Sequence, residues 1–404
     1  MENNDYNIWL EGIERVKYPR DVLPDEIETL IVGGGITGIT CAYLLAKDGR
    51  QVVLLEKRKL GEWITYCTTG FLTQVIDTDP VRLIKLFGEE KARLIFASHL
   101  EAINNIENII KSEMIECEFK RCSDYVYANS KKEEKKLIKM AETFKKLNVK
   151  CEYKKDNNLN FSKFGYIEMP NQAKFHVMKY LTALAKIANE HGAIIAEDTE
   201  VLSLNDKKDF VEVVVKDVGT IKARKVFSAT HNPFGKPSHL IHKINTYRTY
   251  VLEYNIPVNS IVEATYEDSL KPYHYFRIDP KNGFDRMIIG GADHLNVIQM
   301  NRELNFETMR NYVKEIFRKT FEYSGLEEMR HWSGVILEPV DGIAFLGELK
   351  DSNIFQAFAF SGNGMTYSYI ASKIFFDKLT SQKNIYTEIY DIKRKISWRA
   401  NIFG

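Results

Sequence analysis

The chemistry-bearing residues of this chain begin at Gly33-Gly34-Gly35-Ile36-Thr37-Gly38, a Gly-x-Gly-x-x-Gly loop set between a short apolar run and an amphipathic one. In a strand-to-helix turn each glycine of that pattern has a task. Gly33 permits the tight turn, Gly35 has no side chain to hold a pyrophosphate away from the backbone, and Gly38 lets helix and strand pack closely. The helix start offers free N–H groups and the positive end of its dipole to the phosphates. A second apolar run then leads into Glu56, about 20 residues on, where a carboxylate accepts hydrogen bonds from ribose hydroxyls. Loop and acid together predict a dinucleotide site. Glu56 would repel a 2′-phosphate, which disfavours NADP.

A second group lies near the end of the chain. Ser361-Gly362-Asn363-Gly364 precedes a helix expected over residues 366–379, whose first amides point back at the turn. A reduced flavin carries negative charge around N1 and the C2 carbonyl, and a helix N-terminus stabilises that charge. This turn favours FAD over NAD.

The elements that must hold these residues are legible from hydrophobic period. Residues 28–32 and 51–55 are expected as strands around a helix over 36–48, with Gly49 at its C-cap, a βαβ unit. Helices are expected over 80–111, 131–147, 174–191 and 305–321. Short strands are expected over 193–195, 201–204, 210–216, 220–221 and 225–229, and strand alternation from 246 to 291. The mixed block Lys131-Lys132-Glu133-Glu134-Lys135-Lys136 reads as a solvated helix face rather than a basic patch. The expected fold class is α/β plus α+β: a Rossmann-type FAD-binding domain, glutathione-reductase-like, with an inserted, mostly antiparallel substrate domain. The expected boundaries are 26–80, 165–235 and 333–404 for the FAD-binding domain and 81–164 and 236–332 for the substrate domain. Residues 1–25 form an extended lead-in broken by Pro19 and Pro24.

Composition excludes several classes. Hydrophobic residues at 44% and charged residues at 27% fit a globular chain, and a net charge of +1 argues against a nucleic-acid surface. No apolar run approaches the roughly 20 residues a membrane span needs, and the polar first residues lack the apolar core of a signal peptide. A cytoplasmic protein is expected, with peripheral contact at a membrane left open. The five cysteines are scattered and form no Cys-x-x-Cys pair, so neither a disulfide framework nor a metal centre is expected.

At this point the chain resembles the D-amino-acid oxidase (DAO) superfamily of FAD oxidoreductases, and within it the branch often fused to a C-terminal Rieske domain. Beyond the glycine loop, the matching stretches are Phe87-Gly88-Glu89-Glu90-Lys91-Ala92, Ala229-Thr230-His231-Asn232-Pro233-Phe234, Arg248-Thr249-Tyr250, Tyr273-His274-Tyr275-Phe276-Arg277, Gly290-Gly291-Ala292-Asp293-His294, Asp341-Gly342-Ile343-Ala344-Phe345-Leu346-Gly347 and Phe360-Ser361-Gly362-Asn363-Gly364-Met365-Thr366. The chain departs from that branch in two ways. The Rieske ligand pattern, Cys-x-His followed by Cys-x-x-His, is not in this sequence, so no iron–sulfur centre is expected. Cys67, in Tyr66-Cys67-Thr68-Thr69-Gly70, stands where relatives place a histidine, and some superfamily members bond FAD covalently to a histidine in a similar segment. A free thiol is the expectation, with a thioether to the flavin 8α carbon as the alternative. The cofactor-binding set read from these stretches is Gly33, Gly35, Ile36, Thr37, Gly38, Glu56, Lys57, Cys67, Thr68, Thr69, Val201, Gly347, Gly362, Gly364, Met365 and Thr366, with no metal ligand.

The resemblance implies removal of a hydride to flavin N5 under a roof formed by the inserted domain. An acidic substrate would need a cation or phenol to hold its carboxylate. Tyr275 and Arg277 share one face of a strand, His274 and Phe276 the other, and Arg248 and Tyr250 are likewise two apart. The catalytic candidates are therefore Tyr250, His274, Tyr275, Arg277 and Arg248, with His176 as a weaker one; His231 reads as structural. The implied function is oxidation of a small amine or amino acid, with oxygen, a quinone or a carrier protein as acceptor and the oligomeric state open. The alternatives are a 2-hydroxy acid or glycerol phosphate as substrate, or a flavin electron-relay subunit with no small substrate of its own.

Overall fold

Strand Glu26–Val32, helix Ile36–Lys47 and strand Val52–Leu55 form the βαβ unit, and the two strands pair in parallel. The computed structural model describes residues 8–18, 23–156, 158–234, 240, 242–270, 272–296, 302–318, 320 and 326–396. Residues 1–7 and 19–22 of the N-terminal lead-in, Pro19 among them, and Phe321 at the expected end of a helix lie outside them.

The first sheet runs in the order Phe345–Glu348, Ile354–Phe358, Gly219–His231, Glu26–Val32, Val52–Leu55, Ile194–Ala196. Its centre is parallel, as crossover helices demand. The hairpin Val201–Asp206 and Val211–Val215 hangs antiparallel on the long strand Gly219–His231. That strand merges the two short strands expected at 220–221 and 225–229.

The second sheet has the order Glu327–Pro339, Ile244–Ile256, Asp285–Leu295, Tyr275–Pro280, Thr265–Asp268, Lys120–Tyr127, Tyr166–Lys174, Phe71–Leu72, with Glu152–Lys154 beside Tyr166–Lys174. It is antiparallel except where Thr265–Asp268 meets Lys120–Tyr127. Three of its strands, Phe71–Leu72, Tyr166–Lys174 and Glu327–Pro339, include residues expected in the nucleotide domain, so the sheet does not follow the boundaries at 80, 165 and 333.

Local chemistry explains where helices differ from their expected spans. The stretch 80–111 is two helices, Pro80–Phe87 and Glu89–Ser112, because Gly88 adopts a left-handed φ of 81° and its N–H donates to the Ile84 carbonyl. Asp79 caps the first of them through the amides of Val81 and Arg82, with Pro80 at the first helical position. The helix expected from 174 spans Val177–Glu190. Lys174 ends a strand, and the His176 Nδ1 caps the helix by accepting from the Lys179 amide. The helix expected over 305–321 spans Arg302–Phe317, and the closing helix starts at Gly364.

The back of the second sheet holds an aromatic core. Phe276 stacks on Tyr266 at 4.5 Å and meets Phe161 and Phe317 edge-on, and helix Arg302–Phe317 covers this face with Met309, Val313 and Phe317. His274 and Phe276 therefore point at the helix, and Tyr273 and Tyr275 point the other way, toward the nucleotide sheet.

Candidate active site

The glycine loop is shaped by what a side chain would strike. Gly33 has φ 108° and sits so close to the neighbouring strand that a Cβ would lie 2.6 Å from the Ala229 carbonyl oxygen. A Cβ on Gly38 would lie 1.9 Å from the Gly33 oxygen. At Gly35 a Cβ would meet only the Thr65 Oγ1, at 3.0 Å, and otherwise enter open space. Glu56 accepts from the Gly34 amide through Oε2 at 2.6 Å and from the Arg58 amide through Oε1 at 2.8 Å. Each oxygen keeps a lone pair for a hydroxyl donor. Burial pushes the Glu56 carboxyl above its ordinary pKa, against the pull of those two amides and of Lys57 and Arg58.

A cavity of about 420 Å³ runs from this loop along the strand ends to the closing helix. Of the expected residues, Gly33, Gly35, Ile36, Thr37, Glu56, Lys57, Val201, Gly364 and Met365 line it. Trp63 and Thr65, which carried no sequence signal, also line it. Trp63 holds a φ of 98°, rare for a bulky residue, and its ring lies 4.6 Å from the Lys57 Nζ.

A second cavity, about 130 Å³, lies between the closing helix and the roof sheet. Of the candidate residues, Cys67, Thr68, Thr69, Gly362, Gly364, Met365, Thr366 and Tyr275 line it. Asp77, Thr249, Glu267 and Tyr273 line it without having been singled out. The two cavities share Ile64, His231, Phe360, Gly364 and Met365 and so run into each other. Their junction is the start of helix Gly364–Leu379, whose first internal bond is the Tyr367 amide to the Asn363 carbonyl. Behind it, the His99 Nδ1 is 2.7 Å from the Thr366 Oγ1, and burial holds that imidazole neutral, with a pKa of about 3.

The catalytic candidates divide. Tyr275 faces the second cavity and its hydroxyl is 3.0 Å from the Thr249 Oγ1. Arg277 is buried and turned away: it donates to Asp279 and to the carbonyls of Thr69, Gly70 and Phe175. His274 lies on the opposite face, bonded to Asp268 and stacked on Tyr312 at 3.6 Å. Tyr250 meets the His294 Nε2 at 3.0 Å and receives a bond from Asn305, again behind the sheet. Arg248 donates to Ser333 and Asn296 and lines neither cavity. His176 is a helix cap packed edge-on against Trp9, with burial lowering its pKa to about 4. Gly38 works inside the loop, and Gly347 lies by Ile392 and Asp391, outside both cavities.

His231, placed by the sequence at a strand end near the nucleotide and read as structural, lines both cavities. Its φ is 65°, at a register shift between its strand and Ile354–Phe358, and its buried Nε2 has no hydrogen-bond partner among the described residues. Burial holds its pKa at about 4, so the ring is neutral near pH 7. The strand end announces its place, and the register shift sets its direction.

The residues present fit FAD: an open path at Gly35, a carboxylate with free lone pairs at Glu56, and helix amides at the far end of a continuous cavity. Comparison with known proteins agrees. The DAO family, described as FAD dependent oxidoreductase, matches residues 28–378. A Bacillus subtilis protein, YhfW, named as a Rieske 2Fe-2S iron-sulfur protein, is 29% identical over 96% of this chain and 75% of its own length. Gamma-glutamylputrescine oxidoreductase of Escherichia coli is 23% identical over 88% of this chain and 84% of its own length. The solved structure of glycine oxidase from Geobacillus kaustophilus shares the fold, with a TM-score of 0.73 at 18% identity over 93% of this chain and all (100%) of that one. The loop, the acid behind it and the match along most of the chain converge, and the chain belongs to the DAO family of FAD-dependent oxidoreductases.

Proposed function

We propose that this oxidoreductase acts on a small amino compound held in the second cavity. The observation that carries the reading is the position of that cavity. It opens onto the start of the closing helix on one side and onto the roof residues Tyr275 and Thr249 on the other. A compound lodged there is enclosed, and its reacting carbon can be aligned and screened from water. Bound FAD supplies the two-electron acceptor for a hydride.

The chain's own residues do the rest. Gly33, Gly35 and the helix start at Ile36 and Thr37 take the pyrophosphate, and Glu56 takes the ribose. The amides of Gly364, Met365 and Thr366 would stabilise negative charge on the reduced ring system. Tyr275, fixed by Thr249, positions substrate. The names of gamma-glutamylputrescine oxidoreductase and glycine oxidase support an amino compound over a hydroxy acid. Anaerobic bleaching of the yellow protein against panels of amines, amino acids and hydroxy acids tests it. Bleaching by amino compounds is expected, and bleaching by hydroxy acids alone overturns the reading.

A further inference from the structure

The second cavity has an unusual electrostatic character for a site that would seat an amino acid. Among the described residues lining it there is no lysine or arginine, and its acidic side chains are Asp77 and Glu267. Both arginines that sequence offered as carboxylate clamps point elsewhere, Arg277 into Asp279 and backbone carbonyls, Arg248 toward Ser333 and Asn296. The Asp77 carboxylate accepts from the Gly362 amide at 2.7 Å and from the Tyr273 hydroxyl at 3.1 Å, which leaves lone pairs on both oxygens. Glu267 and Asp77 each have their pKa raised, by burial first, and for Glu267 also by the neighbouring acids Asp124, Asp77 and Asp268. A third acid, Asp293, sits behind Thr249 with a buried Oδ1 that has no partner among the described residues.

The walls are aromatic. Tyr273 and Tyr275 lie 5.4 Å apart, and Phe71 meets Tyr275 edge-on at 5.9 Å. Acids clustered beside aromatic rings, with no cation of their own, form a setting in which an arriving ammonium group favours their ionised form and is held by it, while a carboxylate is disfavoured. His231 adds an independent observation: a buried Nε2 on the cavity wall that has no hydrogen-bond partner among the described residues.

Resting on the amino-compound reading, we infer that the substrate enters as an ammonium cation lacking a carboxylate, an aliphatic amine or diamine rather than an α-amino acid, recognised by Asp77, Glu267 and the rings of Tyr273 and Tyr275. The ammonium group takes the place of the absent cation among these acids. An α-amino acid would bring its carboxylate into the same field with no lysine or arginine among the described lining residues to receive it.

The test uses the FAD-loaded chain under anaerobic conditions, with the flavin band as the binding signal. The probes are butylamine, 1,4-diaminobutane, glycine, N-methylglycine and acetate. The amines are expected to bind at least about tenfold more tightly than glycine or N-methylglycine, with acetate failing to compete. Glu267→Gln is expected to weaken butylamine by about tenfold and to narrow its preference over glycine, while FAD stays bound. Glycine, N-methylglycine or acetate binding as tightly as butylamine to the unmodified protein overturns the inference, whatever the variant does. Flavin reduction by an amino acid in preference to amines sinks this inference and leaves the amino-compound reading standing. Reduction by hydroxy acids alone sinks both.

Discussion

Arg277 directs Nε and Nη2 at one oxygen of Asp279, at 3.0 and 2.9 Å, and its Nη1 at the carbonyls of Thr69, Gly70 and Phe175. Lys174 shares the same carboxylate at 2.6 Å. Burial alone would raise the Asp279 pKa, but the charges of Arg277 and Lys174 outweigh it and hold it at about 2. The guanidinium thus ties the segment at Thr69 and Gly70, beside the second cavity, to the roof sheet. It lines neither cavity, which makes it a positioning residue.

Replacing Arg277 with methionine should therefore act on stability first. Breaking a buried pair leaves an undercompensated carboxylate and typically costs about 3–5 kcal/mol. A large fall in the urea midpoint is expected, with the preference among amines and amino acids unchanged in the protein that remains folded. An unchanged midpoint together with lost affinity for substrate carboxylates would return Arg277 to the substrate.

The glycine loop offers a paired experiment. In Gly35→Val the added Cβ meets only the Thr65 Oγ1, so the fold should survive while the pyrophosphate's space is filled. The expected result is a folded, colourless protein by circular dichroism and flavin absorbance. In Gly38→Ala the Cβ collides with the Gly33 oxygen, so the loop itself must shift, a change of the kind that costs about 1–3 kcal/mol or more. Normal FAD content in Gly35→Val would show that the loop does not hold the nucleotide.

Cys67 lines the second cavity, half-buried, and its Cβ would lie 3.3 Å from a side chain added at Gly334. No basic residue lies in the sequence between Gly61 and Asp79 to activate the thiol locally. Tertiary structure brings Arg248 near enough for the two charges to interact, but the guanidinium donates to Ser333 and Asn296. FAD is expected to come free on acid denaturation, and Cys67→Ala to change its affinity only modestly. An intact-mass gain of one FAD on the denatured chain would make Cys67 an attachment residue.

Asp293 gives a pH signature. Burial raises its pKa from 3.8 to about 6; Asp77 adds to this, and the Thr249 hydrogen bond and His274 oppose it. Tyr247, Tyr273 and Tyr275 also face it. A carboxyl whose folded pKa is raised contributes its stability fully below the unfolded value and loses it as pH rises through the folded one. The wild type should weaken between pH 4 and pH 7 relative to Asp293→Asn. The variant should gain up to about 3 kcal/mol at pH 8 and nothing at pH 4. An equal urea-midpoint difference at both pH values would place the cause elsewhere.

What the sequence determined by itself was local. The βαβ unit, the glycine loop, Glu56 and the closing helix each rest on period and spacing within a few tens of residues, and these put Gly33, Gly35, Glu56, Gly364 and Met365 on one cavity. The strand period also fixed that Tyr275 and Arg277 share a face. Which face meets the cavity was left to helix Arg302–Phe317, which covers the His274 and Phe276 side. The strands Lys120–Tyr127 and Tyr166–Lys174 escaped notice because their mixed polar residues are paired across the sheet, where Asp124 takes a bond from Thr265 and Lys174 meets Asp279. Asp77 reaches Tyr273 and Gly362 across distances in sequence that no window spans, and the bulge before His231 turns it into the site. A charge's role depends on which partner reaches it first, and for Arg277 and Arg248 only the packing of distant segments decided that.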